Sequence, residues 1–308
     1  MKISYKNIRA SRTQSTLAFF VLLLSLITFV LWSAVFVTSE SKELLEIVML
    51  DVGQGDAFFI ESPKGTQVLI DGGRSTAVLR GLSEVMPFWD RTLDVVVATH
   101  PDADHIGGLI DVFERFEVKH VLESAVKNDT PTFRSYEEAL GGEGASVIPA
   151  SRGTQVRIDD SIVLTVLSRE VVATSDTNEA SVILRIDYGE TSFLFTGDAS
   201  KEVERELLRY YELLDVDVLK VGHHGSDTST SLEFISATSP EFALISAGRD
   251  NSYGHPHDEV LERLTNADVR ILRTDTQGTV RLVSDGRAVS EKPLLFFERL
   301  FGILKIPL

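Results

Sequence analysis

Four side chains that commonly bind metal ions lie within one six-residue segment, His100-Pro101-Asp102-Ala103-Asp104-His105. A neutral imidazole supplies a nitrogen ligand and an aspartate supplies an anionic oxygen, so this combination suits Zn²⁺ or a harder ion such as Mn²⁺. Only seven histidines occur in the 308 residues, which makes such a cluster improbable by chance. The simpler interpretation is an exposed polar loop in which Asp104 caps a helix, but that interpretation leaves the following segments unexplained.

Three other segments place a ligand-type side chain beside a glycine at the end of a strand-like run: Asp71-Gly72-Gly73, Thr196-Gly197-Asp198 and Gly222-His223-His224-Gly225. Each is weak evidence alone, but strand ends that meet at one edge of stacked sheets would bring their side chains together. Adjacent side chains of an extended segment point in opposite directions, so only one of His223 and His224 should bind a metal ion. We assign His223 as the ligand, and we expect His224 either to support the ligands from outside or to face the substrate.

The elements that must position these residues are short strands interrupted by turns and helices. Residues 94–99 form a continuous apolar run before His100, typical of a buried strand that carries a ligand at its C-terminal end. Further strands are predicted at 45–50, 57–62, 66–71, 118–123, 161–167, 217–221 and 242–246, with a hairpin across 180–198 and helices at 109–116, 203–211 and 257–264. This order predicts a layered α/β body.

Composition limits the chemistry further. The chain has no cysteine, which excludes a disulfide scaffold, a thiolate zinc site and a cysteine nucleophile. The net charge is −16, and residues 1–39 hold four cations and no acid, so the remainder carries 26 − 46 = −20. Such acidity argues against a protein that reads DNA grooves, since phosphate affinity comes mainly from lysine and arginine.

An N-terminal membrane anchor is predicted. Leu17 to Val37 is a run of 21 residues without charge, which as a helix would span roughly 32 Å, enough for the hydrocarbon core of a bilayer. The four cations before it predict a cytoplasmic N-terminus and an exported body in the cell membrane. The alternative is a cleaved secretory signal, which would make the body a secreted protein; we expect an anchor because the run is long.

The apolar C-terminal segment, residues 293–308, fits two interpretations equally: a helix on the membrane surface, or a last helix packed on the body. We therefore divide the chain into 1–40 (basic tip and anchor), 41–288 (the layered α/β domain with the candidate metal ligands) and 289–308 (tail). Only one hydrophobic span is predicted, so we expect a standalone anchored domain rather than a multi-helix membrane channel.

The motifs H-x-D-x-D-H, G-D and H-H-G, preceded by D-G-G, resemble the metallo-β-lactamase superfamily. More narrowly, residues 51–57 (DVGQGDA), 100–109 (HPDADHIGGL), 219–226 (LKVGHHGS) and 253–257 (YGHPH) resemble the hydrolase domain of ComEC-type competence proteins. The resemblance covers residues 44–288 and implies a four-layer αββα fold with two divalent metal ions, Zn²⁺ or Mn²⁺, between the sheets. The implied metal ligands are His100, Asp102, Asp104, His105, Asp198 and His223, with Asp198 bridging both ions.

The sequence departs from the superfamily pattern around the first ion. Asp102 replaces the usual second histidine, and no histidine occurs between His120 and His223. The first site is therefore rich in oxygen and one ligand short, which favours Mn²⁺ or a weakly held ion. The resemblance also implies that Asp71 orients the ligands from outside, and we expect Asn178 to lie beside them.

The expected activity is hydrolysis of a phosphodiester, such as nucleic acid, by a metal-activated water, with His224 and His255 as catalytic residues. The simpler interpretation of His255 is that it lies in the cap region at the start of a helix. Alternatives are a hydrolase of a small envelope phosphodiester or ester, such as a teichoic-acid choline phosphate, and a non-catalytic binding module that holds metal structurally. The cations counted as available to a polyanion are Lys127, Arg134, Arg152, Arg157, Lys220 and Arg249.

Overall fold

The computed structural model describes residues 16–30, 32, 44–168, 174 and 176–293. Residues 16–30 are helical (α1) and belong, with residue 32, to one unit, while residues 44–293 belong to a second unit. Among the described residues, no helix is both long enough and apolar enough to cross a membrane. Residues 31 and 33–37 of the predicted span lie outside the described residues, as does the predicted tail from residue 294 onward, so both stay predictions.

The first sheet of the second unit has eight strands. They are β1 (Leu45–Met49), β2 (Phe58–Glu61), β3 (Gln67–Ile70), β4 (Thr92–Ala98), β5 (Glu117–Glu123), β6 (Ser146–Pro149), β14 (Val280–Ser284) and β15 (Val289–Glu291). Their order is β15-β14-β1-β2-β3-β4-β5-β6, and β3 through β6 are parallel. Strand β15 pairs with β14, so regular structure continues three residues beyond the boundary predicted at residue 288.

The second sheet has seven strands. They are β7 (Gln155–Asp159), β8 (Ile162–Val166), β9 (Leu184–Tyr188), β10 (Thr191–Phe195), β11 (Val218–Lys220), β12 (Phe242–Ile245) and β13 (Arg270–Arg273). Their order is β13-β12-β11-β10-β9-β8-β7, with β10 to β13 parallel. The carboxyl ends of β10, β11 and β12 therefore lie at one edge of this sheet.

Helices cover the outer face of each sheet. They are α2 (Ala77–Val85), α3 (Ala103–Phe113), α4 (Pro131–Glu143), α5 (Lys201–Tyr210), α6 (Leu232–Thr238) and α7 (Asp258–Asn266), with a short α8 (Thr274–Gln277). Apolar residues of α2, α3 and α4 pack with the first sheet, and those of α5, α6 and α7 pack with the second. A third cluster fills the space between the sheets. The predicted four-layer α/β arrangement is confirmed.

Burial on both faces explains the continuous apolar run of β4. Val95 and Val97 point into the core between the sheets, whereas Val96 and Ala98 point toward the helices. Successive side chains of a strand alternate between faces, so a strand covered on both sides needs apolar residues at every position. The run then delivers its next residues, Thr99 and His100, to the edge where the second sheet also ends.

Candidate metal centre

The segment after β4 turns directly into helix α3. Asp102 is the N-cap residue, with extended backbone angles, and its carbonyl accepts hydrogen bonds from the amides of His105 and Ile106 at 3.0 Å. Asp104 and His105 therefore lie in the first turn of the helix. Gly108 allows this turn to approach the segment after β3, because a Cβ atom at Gly108 would lie 2.0 Å from the carbonyl oxygen of Gly72.

Asp71 fixes two histidines from outside the ligand cluster. Its Oδ1 accepts from the Thr99 amide at 2.8 Å, and its Oδ2 accepts from the Thr99 hydroxyl at 2.7 Å and from His105 Nδ1 at 2.8 Å. Because a carboxylate only accepts, His105 carries its proton on Nδ1. The Thr99 hydroxyl has given its proton to Asp71, so it accepts one from His100 Nδ1, 3.0 Å away. Both rings are left with an Nε2 lone pair.

Asp198, which follows β10, lies at the centre of the cluster. Its Oδ2 is 3.3 Å from His105 Nε2, 3.4 Å from His224 Nε2, 3.8 Å from His223 Nε2 and 4.0 Å from His100 Nε2. The Asp198 amide donates to the Ser181 hydroxyl at 3.1 Å, which ties the residue to the neighbouring loop. One carboxylate oxygen thus faces four imidazole nitrogens.

The two adjacent histidines lie in a tight turn rather than an extended segment. His223 and His224 have φ of 45° and 54°, inside a 3₁₀ turn (Gly222–Gly225), so the alternation assumed from the sequence does not apply. His224 is buried, donates from Nδ1 to the Ser246 carbonyl at 2.9 Å, and holds Nε2 3.7 Å from Asp104 Oδ2. The side chain of His223 is 29% exposed and its Nδ1 is 3.2 Å from the Thr228 hydroxyl.

Four groups of described histidines and aspartates bring their ligand atoms within 4.8 Å of one another. The groups are His100–His105–Asp198, Asp104–His105–His224, Asp56–Asp198–His224 and Asp56–Asp71–His105. His224 belongs to two of these groups, whereas His223 and Asp102 belong to none. This geometry favours His224 over His223 as the ligand.

The residues fit a bound metal. Nε2 of each of the three histidines His100, His105 and His224 is buried and makes no hydrogen bond with any described residue. Buried polar atoms in proteins are almost always paired. Unpaired nitrogen lone pairs that converge on a carboxylate are what divalent ions would satisfy, and His/Asp donor sets are typical of Zn²⁺ and Mn²⁺ sites.

His105 and His224 are protonated when no ion is bound. Burial lowers the pKa of His224, but the carboxylates of Asp198 and Asp56 outweigh it and raise the pKa to about 9. Burial also lowers the pKa of His105, but the carboxylates of Asp198 and Asp71 outweigh it and raise the pKa well above its usual value. Burial and the neighbouring His105 lower the pKa of His100 to about 3, so His100 is neutral at physiological pH. Metal binding must therefore displace protons from the site.

Asp102 lies beside His100 and is contacted by Thr177, the residue before Asn178. Oδ1 of Asp102 accepts from the Thr177 hydroxyl at 2.6 Å, and its Oδ2 is 3.9 Å from His100 Nε2. Asn178 lies in the 3₁₀ turn (Thr177–Ala180), and its side-chain oxygen is buried without a partner among the described residues. The turn that contains Asn178 thus reaches the cluster through the contact of Thr177 with Asp102.

A sequence profile of the metallo-beta-lactamase superfamily matches residues 50–249, about two thirds of the chain. The chain belongs to this superfamily. ComE operon protein 3 of Bacillus subtilis (strain 168) is 35% identical over 253 residues, which are 77% of this chain and 32% of that protein. Recombination protein 2 of Haemophilus influenzae is 32% identical over 249 residues, 79% of this chain and 29% of that protein.

These relatives, together with competence protein ComA of Neisseria gonorrhoeae, identify a ComEC-type metallo-β-lactamase domain. The chain spans about a third of the length of the curated relatives it matches. Among solved structures, the metallo-beta-lactamase fold protein YhfI from Bacillus subtilis matches with a TM-score of 0.53 and 14% identity, over 78% of this chain and 99% of that chain. This likeness shows the fold alone. Members of the superfamily are generally metal-dependent hydrolases.

His255 lies beside the ligand cluster but belongs to none of its four groups. Its ring centroid is 5.5 Å from that of His223 and 6.4 Å from that of His224. Burial, reinforced by the neighbouring histidines, lowers the pKa of His255 to about 4, so the ring is neutral at physiological pH. Its Nδ1 has no hydrogen-bond partner in the described part of the chain.

Two residues at the floor of the site were missed by the sequence analysis. Lys220, counted there as a cation open to a polyanion, is only 1% exposed and forms an ion pair with Asp56, which is 2% exposed. That interpretation was wrong, because the side chain points between the sheets. Both residues lie inside motifs recognised in the sequence, Asp56 in DVGQGDA and Lys220 in LKVGHHGS, but neither motif indicates that the two side chains meet.

Proposed function

We propose that the chain is an exported, membrane-anchored, metal-dependent phosphodiesterase that cleaves nucleic acid with a water activated by two divalent ions, Zn²⁺ or Mn²⁺. The convergence of imidazole nitrogens on Oδ2 of Asp198 is the observation that carries this proposal. Ions bound there would supply a water of lowered pKa and positive charge against the phosphate oxygens.

The proposed ligands form two sets that share Asp198. The first set is His100 with Asp102, and the second is Asp104, His105 and His224. His224 thus replaces His223 in the assignment made from the sequence, because it is the buried ring near Asp104.

Charge balance supports two ions rather than one. The site holds five carboxylates, Asp56, Asp71, Asp102, Asp104 and Asp198, and one ammonium, Lys220. With neutral histidines these sum to −5 + 1 = −4, which two divalent ions cancel. Without ions, the protons on His105 and His224 offset only two of these charges, and a buried site that keeps the rest is costly, whereas two divalent ions would offset all four.

His223 and His255 are the side chains we assign to the substrate. His223 is partly exposed beside Asp198, and His255 is neutral and lies next to His223. A neutral imidazole can both accept and donate a proton, which suits a residue that hydrogen-bonds to the attacking water or to the leaving oxygen. Asp71 and Asn178 support the ligands without touching the substrate.

An exposed aromatic ring favours nucleic acid as the substrate. Tyr253 is 55% exposed and lies nearly parallel to His255, with ring centroids 5.8 Å apart. The Asn251 side chain accepts hydrogen bonds from the amides of Tyr253 and His255 at 3.2 and 3.1 Å, which holds the loop. A fixed, exposed ring next to a phosphate site offers a surface on which a nucleobase can stack.

A small phosphodiester is the second candidate, favoured by the state of the predicted cations. Lys127 pairs with Glu137 and Arg152 with Glu206, both at 2.7 Å, and Arg134 pairs with Asp129. Lys220 is buried. These pairs leave little positive charge to hold a long polyanion, which favours a small phosphodiester as the substrate. If the chain is a nuclease, it should act on few nucleotides at a time rather than track along a strand.

The proposed location rests on the sequence. The apolar run Leu17 to Val37 and the four cations before it favour a single anchor with the hydrolase domain outside the cytoplasm. The competence and recombination functions in the relatives' names belong to those proteins.

The test is hydrolysis by the full chain of single-stranded DNA, double-stranded DNA and bis-p-nitrophenyl phosphate, each with Mn²⁺ and with Zn²⁺. We expect metal-dependent cleavage of DNA that is lost in Asp198→Asn and kept in Asp129→Asn, a surface control whose side chain is 97% exposed. Cleavage of the small diester alone would favour the second candidate. No turnover with either metal would refute both.

A further inference from the structure

A buried ion pair joins the two sheets directly beneath the metal cluster. Lys220 is the last residue of β11, in which Val218 points into the core between the sheets and Leu219 points toward the helices. Alternation therefore directs Lys220 inward. Its ammonium contacts the carboxylate of Asp56, donates to the Gly197 carbonyl at 2.5 Å, and lies 3.5 Å from Oδ1 of Asp198.

Asp56 brings the other sheet to this contact. It lies in the loop between β1 and β2, its amide donates to the Asp104 carbonyl at 3.2 Å, and its own carbonyl accepts from the Gly73 amide at 2.7 Å. Its Oδ1 is 3.4 Å from His224 Nδ1. Asp56 is thus connected to residues on both sides of the second ligand set.

Burying an ammonium and a carboxylate is expensive, and an apolar pair of similar volume is often as stable. A role beyond stability is therefore worth testing. The two oxygens of Asp198 divide their neighbours: Oδ1 faces Lys220, whereas Oδ2 faces the histidines. The ammonium lies 3.5 Å from Oδ1 and makes no hydrogen bond with it, so it attracts this oxygen by charge and favours the carboxylate rotation in which Oδ2 faces the metal ions.

We propose that the Lys220–Asp56 pair positions Asp198, with Lys220 holding Oδ1 so that Oδ2 is presented to the metal ions, and with Asp56 holding Lys220 in place across the two sheets. We assign both as positioning residues. Asp56 belongs to two of the converging groups, but its carboxylate is paired with Lys220 and faces His224 through Nδ1, the nitrogen that donates to the Ser246 carbonyl, rather than through Nε2. The inference rests on the metal centre proposed above.

The test separates positioning from simple charge compensation. Lys220→Met alone leaves Asp56 buried and unpaired, which can prevent folding, so the informative protein is the double variant Asp56→Asn/Lys220→Met, which removes both charges at nearly constant volume. Loss of a residue that orients a metal ligand typically lowers metal affinity by 10–100-fold. We expect that loss in the double variant of the full chain, measured as Zn²⁺ affinity by competition with a chromophoric chelator, with the metal-free unfolding temperature recorded in parallel.

The matched control is the ion pair between Glu46 and Arg281, which joins β1 to β14 at 2.8 Å and is also largely buried. Glu46→Gln/Arg281→Met should keep its Zn²⁺ affinity within about twofold, since it lies away from the ligands. Unchanged affinity in Asp56→Asn/Lys220→Met, or an equal loss in the control, would overturn the positioning role.

A mutant cycle with Asp198 adds a second criterion. Residues that act through one another give non-additive effects. In an Asp198→Asn background, removal of the Lys220–Asp56 pair should change the Zn²⁺ affinity by less than about threefold. If the pair's full loss of affinity is instead added to that of Asp198→Asn, the pair does not act through Asp198. Failure of the wild-type protein itself to bind Zn²⁺ would instead refute the metal centre.

Discussion

Replacing His224 by alanine should empty one ion position, whereas the same replacement at the adjacent His223 should leave the ions bound and slow the reaction. The two residues are matched by type and by position in the chain, so each serves as the control for the other. They differ in burial: His224 is 1% exposed and His223 is 29% exposed at the side chain.

The size of the effect follows from the contacts of each ring. His224 Nε2 lies 3.7 Å from Asp104 and 3.4 Å from Asp198, and its Nδ1 is fixed by the Ser246 carbonyl. Loss of a residue that only orients a ligand costs 10–100-fold in affinity, so loss of the ligand itself should cost at least about 100-fold. At 1.4 kcal/mol per tenfold, this is about 2.8 kcal/mol.

For His223→Ala the expected change in Zn²⁺ affinity is within about threefold. Its turnover should fall by about 100-fold or more, the usual range for a lost acid–base group. The assay is the ratio of zinc to protein by elemental analysis and the Zn²⁺ affinity by chelator competition, with turnover of a phosphodiester measured at saturating metal. If His223→Ala loses the ion while His224→Ala keeps it, the assignment made from the sequence is right and the geometric argument is wrong.

Three further predictions concern the metal-free protein, the substrate and the ligand support. Because the pKa of His224 rises from 6.5 to about 9 on folding, its stabilisation is complete below pH 6.5 and is lost between pH 6.5 and 9. His224 alone should lower the unfolding free energy of the metal-free protein by about 3 kcal/mol across this window, and His105, whose pKa is also raised, adds to the fall. Urea unfolding measures the fall, and a flat profile would contradict the His224 environment. Tyr253→Ala should weaken binding of single-stranded DNA by about 5–150-fold and Tyr253→Phe should not, with an oligonucleotide lacking bases as control; equal losses with and without bases would exclude stacking. Asp71→Asn places a buried amide donor against the Thr99 or His105 donors, so urea unfolding should show about 2 kcal/mol lower stability, and an unchanged midpoint would mean that these bonds contribute nothing.

Local patterns were enough to predict much of the fold. The hairpin of β2 and β3 turns at Pro63-Lys64-Gly65, and that of β9 and β10 turns at Gly189-Glu190, one residue later than the sequence indicates, because short loops with glycine join alternating apolar runs. Helices α2, α4 and α6 were not predicted. Helix α4 has a mostly polar sequence, and only its contact with α3 and the first sheet shows which residues are buried.

The ligand cluster could be predicted in outline because His100 to His105 follow one strand directly. The roles of His223 and His224 could not, since both residues adopt left-handed backbone angles that the surrounding structure imposes. The burial of Lys220 is also a tertiary effect. A lysine in a strand is normally exposed, and only its pairing with Asp56, far away in the chain, allows it to point inward.

The existence of a two-ion centre on Asp198 is tested most directly by anomalous X-ray diffraction from crystals of the full chain grown with Mn²⁺. We predict two anomalous peaks, both within coordination distance of Asp198, one beside His100 and Asp102 and the other beside Asp104, His105 and His224. A single peak, or peaks that avoid the Asp198 carboxylate, would contradict the two-ion hydrolase proposed for this chain.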